Sequence, residues 1–149
     1  MTKIDTERFV ADAMLGKLVT YMRMAGYDVL YAPDEDAVGD DEVARLADET
    51  GRVLVTRDVE LSEQTGGVLI KSKQVEGKLQ ELIDAGLSFD LTETEPERCS
   101  VCNGTLTETD VSDEDVPDDI ERAWRCEDCG KVYWKGSHWD NVRRTFESV

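Results

Sequence analysis

Two pairs of closely spaced cysteines constrain this chain more than any other feature. Cys99 pairs with Cys102 and Cys126 pairs with Cys129, each in a C-x-x-C arrangement, and these are the only cysteines in its 149 residues. Two such turns that face each other supply four thiolates, which is the tetrahedral sulfur set of a structural Zn²⁺ site. The spacing therefore predicts a zinc ribbon or knuckle held by all four cysteines.

The segment around these pairs has little apolar sequence with which to build a core. Residues 108–121 contain no Lys or Arg and include Pro117, so they bury little surface. Zinc would compensate, because its binding is worth roughly 10 to 16 kcal/mol in small zinc peptides. Disulfides are disfavoured because residues 1–10 lack the apolar run of a signal peptide. A redox dithiol is disfavoured because that chemistry needs one C-x-x-C, not two matched pairs.

The chain is strongly acidic, with 34 Asp and Glu against 17 Lys and Arg and a net charge of −17. Such a surface repels membranes and other polyanions, since phosphate binding depends on Lys and Arg. We interpret the acidity as a halophilic adaptation, because molar salt shortens the Debye length to about 3 Å and screens self-repulsion. No apolar run approaches the roughly 20 residues that span a bilayer, so we expect a cytoplasmic protein.

Apolar residues alternate between strand-like runs and helical spacing over the first 85 residues. Strands are predicted at 8–11, 27–32, 52–56 and 68–70, and helices at 13–25, 40–50 and 74–85. This alternation indicates an α/β fold with a mostly parallel central sheet between helices. We place an α/β domain at residues 1–92 and a zinc ribbon with a C-terminal helix at 93–149.

Acidic residues occupy the positions where this sheet would present a ligand. Asp12 and Asp58 follow predicted strands, and Asp41 begins a predicted helix, so all three can converge outside the carboxyl ends of the strands. Carboxylates brought together repel one another unless a cation such as Mg²⁺ or Mn²⁺ neutralises them. The pattern predicts a metal-dependent nuclease. The alternative for each residue is a helix cap or a solvated loop position.

Several segments together resemble the Mut-seven C-terminal RNase domain family, over about residues 8–142. They are Phe9–Leu18, Arg23–Asp28, Asp40–Glu42, Gly51–Asp58, Arg98–Gly104 and Cys126–Trp139. The resemblance implies a PIN-like domain with a C-terminal zinc ribbon, whose relatives cut RNA with carboxylate-bound Mg²⁺ or Mn²⁺. It places Asp12, Asp41 and Asp58 at the metal-binding positions.

Two acidic positions of that resemblance stay open. Asp36, Asp40 and Glu42 are alternatives to Asp41, and a fourth acid has the candidates Glu60, Glu63 and Asp84. PIN-like domains often pair, so the resemblance also allows a homodimer.

Basic and aromatic residues supply candidates for contact with RNA. Lys17, Arg23 and Arg57 lie near the supposed acidic site and could hold a phosphate. Near the C-terminus, Asp140 is the only acid of residues 130–146, which form a basic, aromatic segment. Its candidate RNA contacts are Lys135, Trp139 and Arg143. The alternative is that these aromatics pack the ribbon onto the first domain, with Trp134 as the core residue. His138 is expected to pack or to cap a helix, and the alternative is a catalytic histidine.

Two function classes follow from these observations. The first is an RNA endonuclease in which the ribbon positions RNA and the acidic edge cuts it. The second is a catalytically silent adaptor that binds RNA, a ribosome or a protein partner through the same scaffold. Acids at all three matching positions favour the enzyme, and the overall acidity favours the adaptor.

Overall fold

Four parallel strands form the central sheet in the computed structural model, which describes residues 8–89, 91, 95–112 and 116–149. The strands are Arg8–Ala11 (β1), Asp28–Tyr31 (β2), Val53–Thr56 (β3) and Val68–Leu69 (β4). Their order across the sheet is β2-β1-β3-β4, and every neighbouring pair is parallel. The predicted parallel α/β sheet is confirmed.

Five α-helices accompany the strands within the described residues. They are Gly16–Met24 (α1), Asp40–Thr50 (α2), Val59–Thr65 (α3), Val75–Asp84 (α4) and Ser137–Glu147 (α5). Short 3₁₀ turns follow β1 at Ala13–Leu15 and β2 at Ala32–Glu35. The sequence pattern did not predict α3, whose seven residues are too few to show a clear helical period.

Alternate residues of the central strands face opposite layers of helices, as the pleat of a strand requires. Phe9, Ala11 and Val55 pack in one apolar cluster with side chains of α1, α4 and α5. Val10 and Leu54 point the other way and pack with side chains of α2 and α3. Because both faces are covered, these strands are apolar at nearly every position.

A second, antiparallel sheet carries the cysteines. Its strands are Leu106–Thr109 (β5), Ala123–Cys126 (β6) and Val132–Tyr133 (β7), in that order. Helix α5 follows this sheet but packs on the first domain, where Phe146 stacks on Phe89 with ring centroids 4.8 Å apart. The division at residues 92 and 93 stays a prediction, and residues 92–94 lie outside the described residues. None of the described helices is long and apolar enough to cross a bilayer.

Candidate active site and metal centre

The carboxyl ends of β1 and β3 lie side by side at the centre of the sheet. The chain continues from β1 to β2 on one side and from β3 to β4 on the other. This reversal of strand order opens a crevice between the two strand ends, which is where open α/β sheets bind ligands. Asp12 directly follows β1, and Arg57 and Asp58 directly follow β3.

One threonine hydroxyl connects the two carboxylate-bearing loops. Ala11 is in register with Val55, so Asp12 lies opposite Thr56, and the Asp12 amide donates to the Val55 carbonyl over 3.0 Å. Thr56 Oγ1 lies 2.8 Å from Asp12 Oδ2 and accepts the Asp58 amide at 3.1 Å. Because a carboxylate oxygen only accepts, the Thr56 hydroxyl donates its proton to Asp12. The buried Thr56 side chain therefore links the Asp12 carboxylate to the backbone of Asp58.

Both carboxylates also cap helical turns. Asp12 Oδ1 accepts the Ala13 amide at 2.7 Å, and Asp58 Oδ1 accepts the Leu61 amide at 3.1 Å at the start of α3. These bonds give both residues the helix-cap role that was the predicted alternative to metal binding. They also fix the direction of each half-buried carboxylate, and an ionised carboxyl group has lone pairs left for a cation.

The third predicted acid, Asp41, is more exposed than Asp12 and Asp58. Asp41 is exposed in the first turn of α2, which begins on the carboxyl side of the sheet because the helix runs back to β3. Among the described residues, the four cysteines are the only group of three or more His, Cys, Asp or Glu side chains placed to hold one metal ion, and their sulfur atoms lie within 4.8 Å of one another. Asp41 thus does not complete a compact ligand set with Asp12 and Asp58, and its role as a ligand stays a prediction.

The alternative acids are spread over neighbouring elements. Asp36 follows the second 3₁₀ turn with a left-handed φ of 58°, Asp40 begins α2, and Glu42 Oε2 accepts the Val38 amide at 3.4 Å. Glu60 and Glu63 are exposed on α3, and Asp84 ends α4.

The three basic residues predicted near the acidic site lie in two different places. Lys17 is exposed in the first turn of α1, and half-buried Arg57 donates to the Ser72 carbonyl over 3.5 Å. Both belong to loops or turns at the carboxyl edge. Arg23 instead lies near the end of α1, by the amino edge, and is only 4% exposed. Its guanidinium donates to the carbonyls of Val29, Ser100 and Val101.

The first cysteine pair lies in a tight turn closed by backbone hydrogen bonds. The Cys99 amide donates to the Gly104 carbonyl over 2.8 Å, and the Asn103 amide donates to the Cys99 carbonyl over 2.9 Å. Asn103 has a φ of 70°, a left-handed conformation that Asn tolerates better than most residues. A side chain on Gly104 would collide with the second pair, because a Cβ there would lie 2.7 Å from Cys126 Sγ.

The second pair forms a matching turn. The Cys126 amide donates to the Lys131 carbonyl over 2.9 Å, and the Gly130 amide donates back to the Cys126 carbonyl over 3.1 Å. The amides of Asp128 and Cys129 point at Cys126 Sγ at 3.4 and 3.5 Å. These two contacts hold the Cys126 sulfur in place within the turn.

The four sulfur atoms form a cluster with the dimensions of a zinc site. Sγ atoms are 3.6 Å apart between Cys99 and Cys129 and 3.5 Å apart between Cys102 and Cys126. All four cysteines are free, and these distances are far longer than a disulfide bond of about 2.0 Å. A tetrahedral Zn²⁺ with Zn–S bonds of about 2.3 Å separates its sulfurs by about 3.8 Å. The donor set therefore fits structural zinc, as the sequence predicted.

Tyr133 supports this cluster from β7. Its hydroxyl oxygen lies 3.0 Å from Cys99 Sγ and 3.2 Å from Ser100 Oγ. Burial acts to raise the pKa of the Cys99 thiol, but the hydrogen bond with Tyr133 and those from backbone amides prevail and lower this pKa to about 7. The same contact and burial raise the pKa of Tyr133, so this phenol keeps its proton. Sequence reasoning missed Tyr133, because only the fold brings it to Cys99.

The first cysteine turn is bonded to the outer edge of β2. Asn103 Oδ1 accepts the Val29 amide at 2.9 Å, while Arg23 Nε and Nη2 donate to the Val29 carbonyl over 2.9 and 2.8 Å. Two side chains thus take the place of a further strand and cover an otherwise exposed edge. Asn103 Nδ2 also donates to Asp28 Oδ1 over 2.6 Å, and Arg52 Nη1 lies 2.7 Å from the same oxygen. The metal site is therefore attached at the amino edge of the sheet.

The basic, aromatic segment at the C-terminus divides between core and surface. Trp139 is 6% exposed and belongs to the core, whereas Trp134 is half-buried, so the expectation that Trp134 is the core residue was wrong. Lys135 Nζ lies 5.3 Å from the centre of the Trp139 ring, and Arg143 pairs with Glu147 at 2.8 Å.

His138 is exposed in the first turn of α5, and the helix has no side-chain cap. The expected packing or capping role of this histidine is therefore wrong.

The fold and the cysteine cluster define a parallel α/β domain that carries a four-cysteine metal centre. The family model described as the Mut7-C RNAse domain matches residues 7–146, which is nearly the whole chain. The chain belongs to this family. No curated protein and no solved structure matched the chain.

Proposed function

We propose that this protein is a PIN-like, metal-dependent RNA endonuclease whose active site is the carboxyl edge of the parallel sheet. One observation carries the proposal. Thr56 Oγ1 bonds to the Asp12 carboxylate and to the Asp58 backbone amide, which joins the two acid-bearing loops where the strand order reverses. Membership of a family described as an RNase domain supports a nuclease-like or RNA-related role for the chain. The finer reaction is our inference from the chemistry of the crevice.

The oxygen donors of this edge suit a hard divalent cation. Asp12 and Asp58 supply half-buried carboxylates with fixed directions, and Asp41 adds a carboxylate at the start of α2. Hard oxygen ligands of this kind are preferred by Mg²⁺ and Mn²⁺. When bound, such an ion supplies Lewis-acid chemistry for phosphodiester hydrolysis, through activation of water and stabilisation of charge on the oxygens.

The remaining residues of the edge position the reaction. The Thr56 hydroxyl donates to the Asp12 carboxylate and orients it, and the Asp58 amide donates to the oxygen of that hydroxyl. Arg57 and Lys17 offer cations for an RNA phosphate, and a charge-assisted bond from a half-buried Arg is the stronger of these. The zinc ribbon is a structural module that contributes RNA-binding surface.

A catalytically silent adaptor is the second candidate. It is favoured by the two helix caps, which give Asp12 and Asp58 a structural reason to be acidic, and by the absence of Asp41 from a compact ligand set within the described residues. In this case the same ribbon binds RNA, a ribosome or a protein partner without cleavage.

The distinguishing experiment is cleavage of a labelled panel of single-stranded RNAs in high-salt buffer containing Mg²⁺ or Mn²⁺. The native chain is compared with Asp12→Asn and Asp58→Asn, which keep an acceptor oxygen for each helix cap. We expect both variants to lose cutting while zinc content stays unchanged. Asp48→Asn is the matched control, because Asp48 is an exposed acid near the other end of α2.

Three results would separate the two candidates. Cutting that needs a divalent ion and both carboxylates supports the enzyme. Equal cutting by all the variants would assign it to a contaminant or to another site. RNA binding without any cutting by the native chain would make the adaptor the working function.

A further inference from the structure

A cleft of about 250 Å³ lies between the end of α1, the cysteine-bearing sheet and the start of α5. Its floor consists of buried apolar side chains, which are Met24, Pro96, Leu106, Val132 and Trp139. Tyr133 and Trp134 line it and are only half-buried. The exposed residues Lys131, Ser137 and His138 lie at its rim. The cleft thus combines an apolar floor, aromatic walls and a polar, basic rim.

The charge of this cleft is opposite to that of the chain. The protein carries a net charge of −17, yet Asp140 is the only acid of residues 130–146. Lys131 Nζ lies 5.2 Å from the centre of the Tyr133 ring. Arg98 also lines the cleft, but its guanidinium pairs with Asp28 at 3.8 Å and donates to the Asn103 carbonyl, so Lys131 is the cation offered to a phosphate. Cations next to aromatic rings are the usual means of holding an unpaired base together with its phosphate.

The cleft is separate from the acidic edge. Met24 ends α1, and the Met22 carbonyl accepts the Tyr27 amide just before β2, so this end of the helix lies at the amino edge of the sheet. Asp12 and Asp58 lie at the carboxyl edge. A ligand in the cleft therefore does not occupy the proposed catalytic crevice.

We propose that this cleft binds an unpaired nucleobase of single-stranded RNA, with Trp134 and Tyr133 against the base and Lys131 at the adjoining phosphate. The proposal rests on the proposed function only in taking RNA as the ligand class. The apolar floor and aromatic walls match the faces of a base, and the basic rim matches its phosphate. A paired base is excluded because both of its faces are stacked inside the duplex. The cleft also adjoins the metal centre through Tyr133, so we expect zinc to be needed for its shape.

Binding is measured by fluorescence anisotropy of a labelled, unstructured oligonucleotide with the zinc-loaded Asp58→Asn chain, without added Mg²⁺ or Mn²⁺. We expect Trp134→Ala, built on this chain, to weaken binding at least about fivefold, the lower end of the effect of losing one base–aromatic stack. Trp134→Phe keeps a ring and should restore most of the affinity. An RNA with abasic residues should bind as weakly to the parent as the intact RNA does to Trp134→Ala.

A surface variant keeps the test valid if Trp134→Ala is poorly folded. Lys131→Ala changes an exposed side chain, and it should reduce the slope of log affinity against log salt by about 0.7, the value for one phosphate contact on a single strand. Lys78→Ala on α4 is the charge-matched control and should leave the slope unchanged.

The proposal is overturned if Trp134→Ala and Lys131→Ala bind RNA as the parent chain does. It is also overturned if abasic RNA binds equally well, or if an acidic peptide, but not RNA, depends on Trp134. Cleavage is measured separately, with Trp134→Ala built on the native chain so that Asp58 is kept. If the cleft binds RNA, Trp134→Ala raises KM and leaves the rate at saturating RNA unchanged, whereas Asp58→Asn abolishes that rate. Failure of the cleft and failure of the nuclease are therefore distinguishable.

Discussion

Replacement of Arg23 by Met tests how the metal centre is attached to the parallel sheet. Arg23 is 4% exposed and donates four hydrogen bonds to the carbonyls of Val29, Ser100 and Val101. Burial lowers the pKa of its guanidinium, because removing a charge from water disfavours the charged form. Met retains an apolar chain of similar length but donates nothing.

The expected loss of stability depends on which carbonyls water can reach once Arg23 is replaced by Met. Ser100 is half-buried and Val101 is exposed, so their carbonyls can bind water, whereas Val29 is fully buried. A buried acceptor left without a partner costs about 1 to 3 kcal/mol, and each bond to a charged donor contributes about 1.5 to 3 kcal/mol. Relief of the buried charge offsets part of this sum. We expect the free energy of unfolding to fall by about 2 to 3 kcal/mol.

The assay is urea unfolding at a fixed concentration of free zinc, followed by tryptophan fluorescence and circular dichroism. Arg143→Met is the matched control, because Arg143 is an accessible helix residue paired with Glu147 and should contribute about 0.5 kcal/mol or less. We also expect Arg23→Met to release zinc faster to a chelator, since it frees the turn that contains Cys99. If Arg23→Met is as stable as Arg143→Met, the proposed attachment is refuted.

Three further predictions concern the ribbon and its contact with β2. A strong chelator should unfold the cysteine-bearing sheet, because zinc binding is worth on the order of 10 kcal/mol or more; unchanged circular dichroism at zero zinc content would contradict this. Gly104→Ala should lower zinc retention, because its Cβ would lie 2.7 Å from Cys126 Sγ, whereas Gly39→Ala, with nothing within 4 Å, should not. Burial raises the pKa of Asp28, but the bond from Arg52 and further partners prevail and hold it below its ordinary value. The stability from this carboxylate is therefore present above about pH 3.9 and is lost as the pH falls below it. The stability difference between the native chain and Asp28→Asn should shrink over that range, and a constant difference would refute the assignment.

Local sequence patterns were sufficient for the parallel sheet because both of its faces are buried. Arg8–Ala11 and Val53–Thr56 are short apolar runs that match the strands, and the spacing of residues 40–50 matches α2. The spacing of the four cysteines was sufficient for the metal cluster, since each C-x-x-C turn is a local structure. The cysteine turns depend on residues close in sequence, and the strands are recognisable because nearly all of their residues are buried.

Contacts between distant residues could not be predicted in this way. Arg23 looks like a surface residue in the sequence, and only the approach of residues 100 and 101 gives it buried acceptors. Thr56 is an ordinary strand residue until the register of β1 and β3 places its hydroxyl between Asp12 and Asp58. Trp139 lies in the core because α5 returns to the first domain, which local periodicity does not specify.

The central claim is that Asp12 and Asp58 together hold one divalent cation. It is tested most directly by titrating the zinc-loaded chain with Mn²⁺ and measuring free Mn²⁺ by electron paramagnetic resonance, in high salt that suppresses weak binding to the acidic surface. We predict that the native chain and Asp48→Asn bind one Mn²⁺ tightly and that Asp12→Asn and Asp58→Asn both lose this site. Equal Mn²⁺ binding by all four chains, or no tight site in the native chain, would contradict the account.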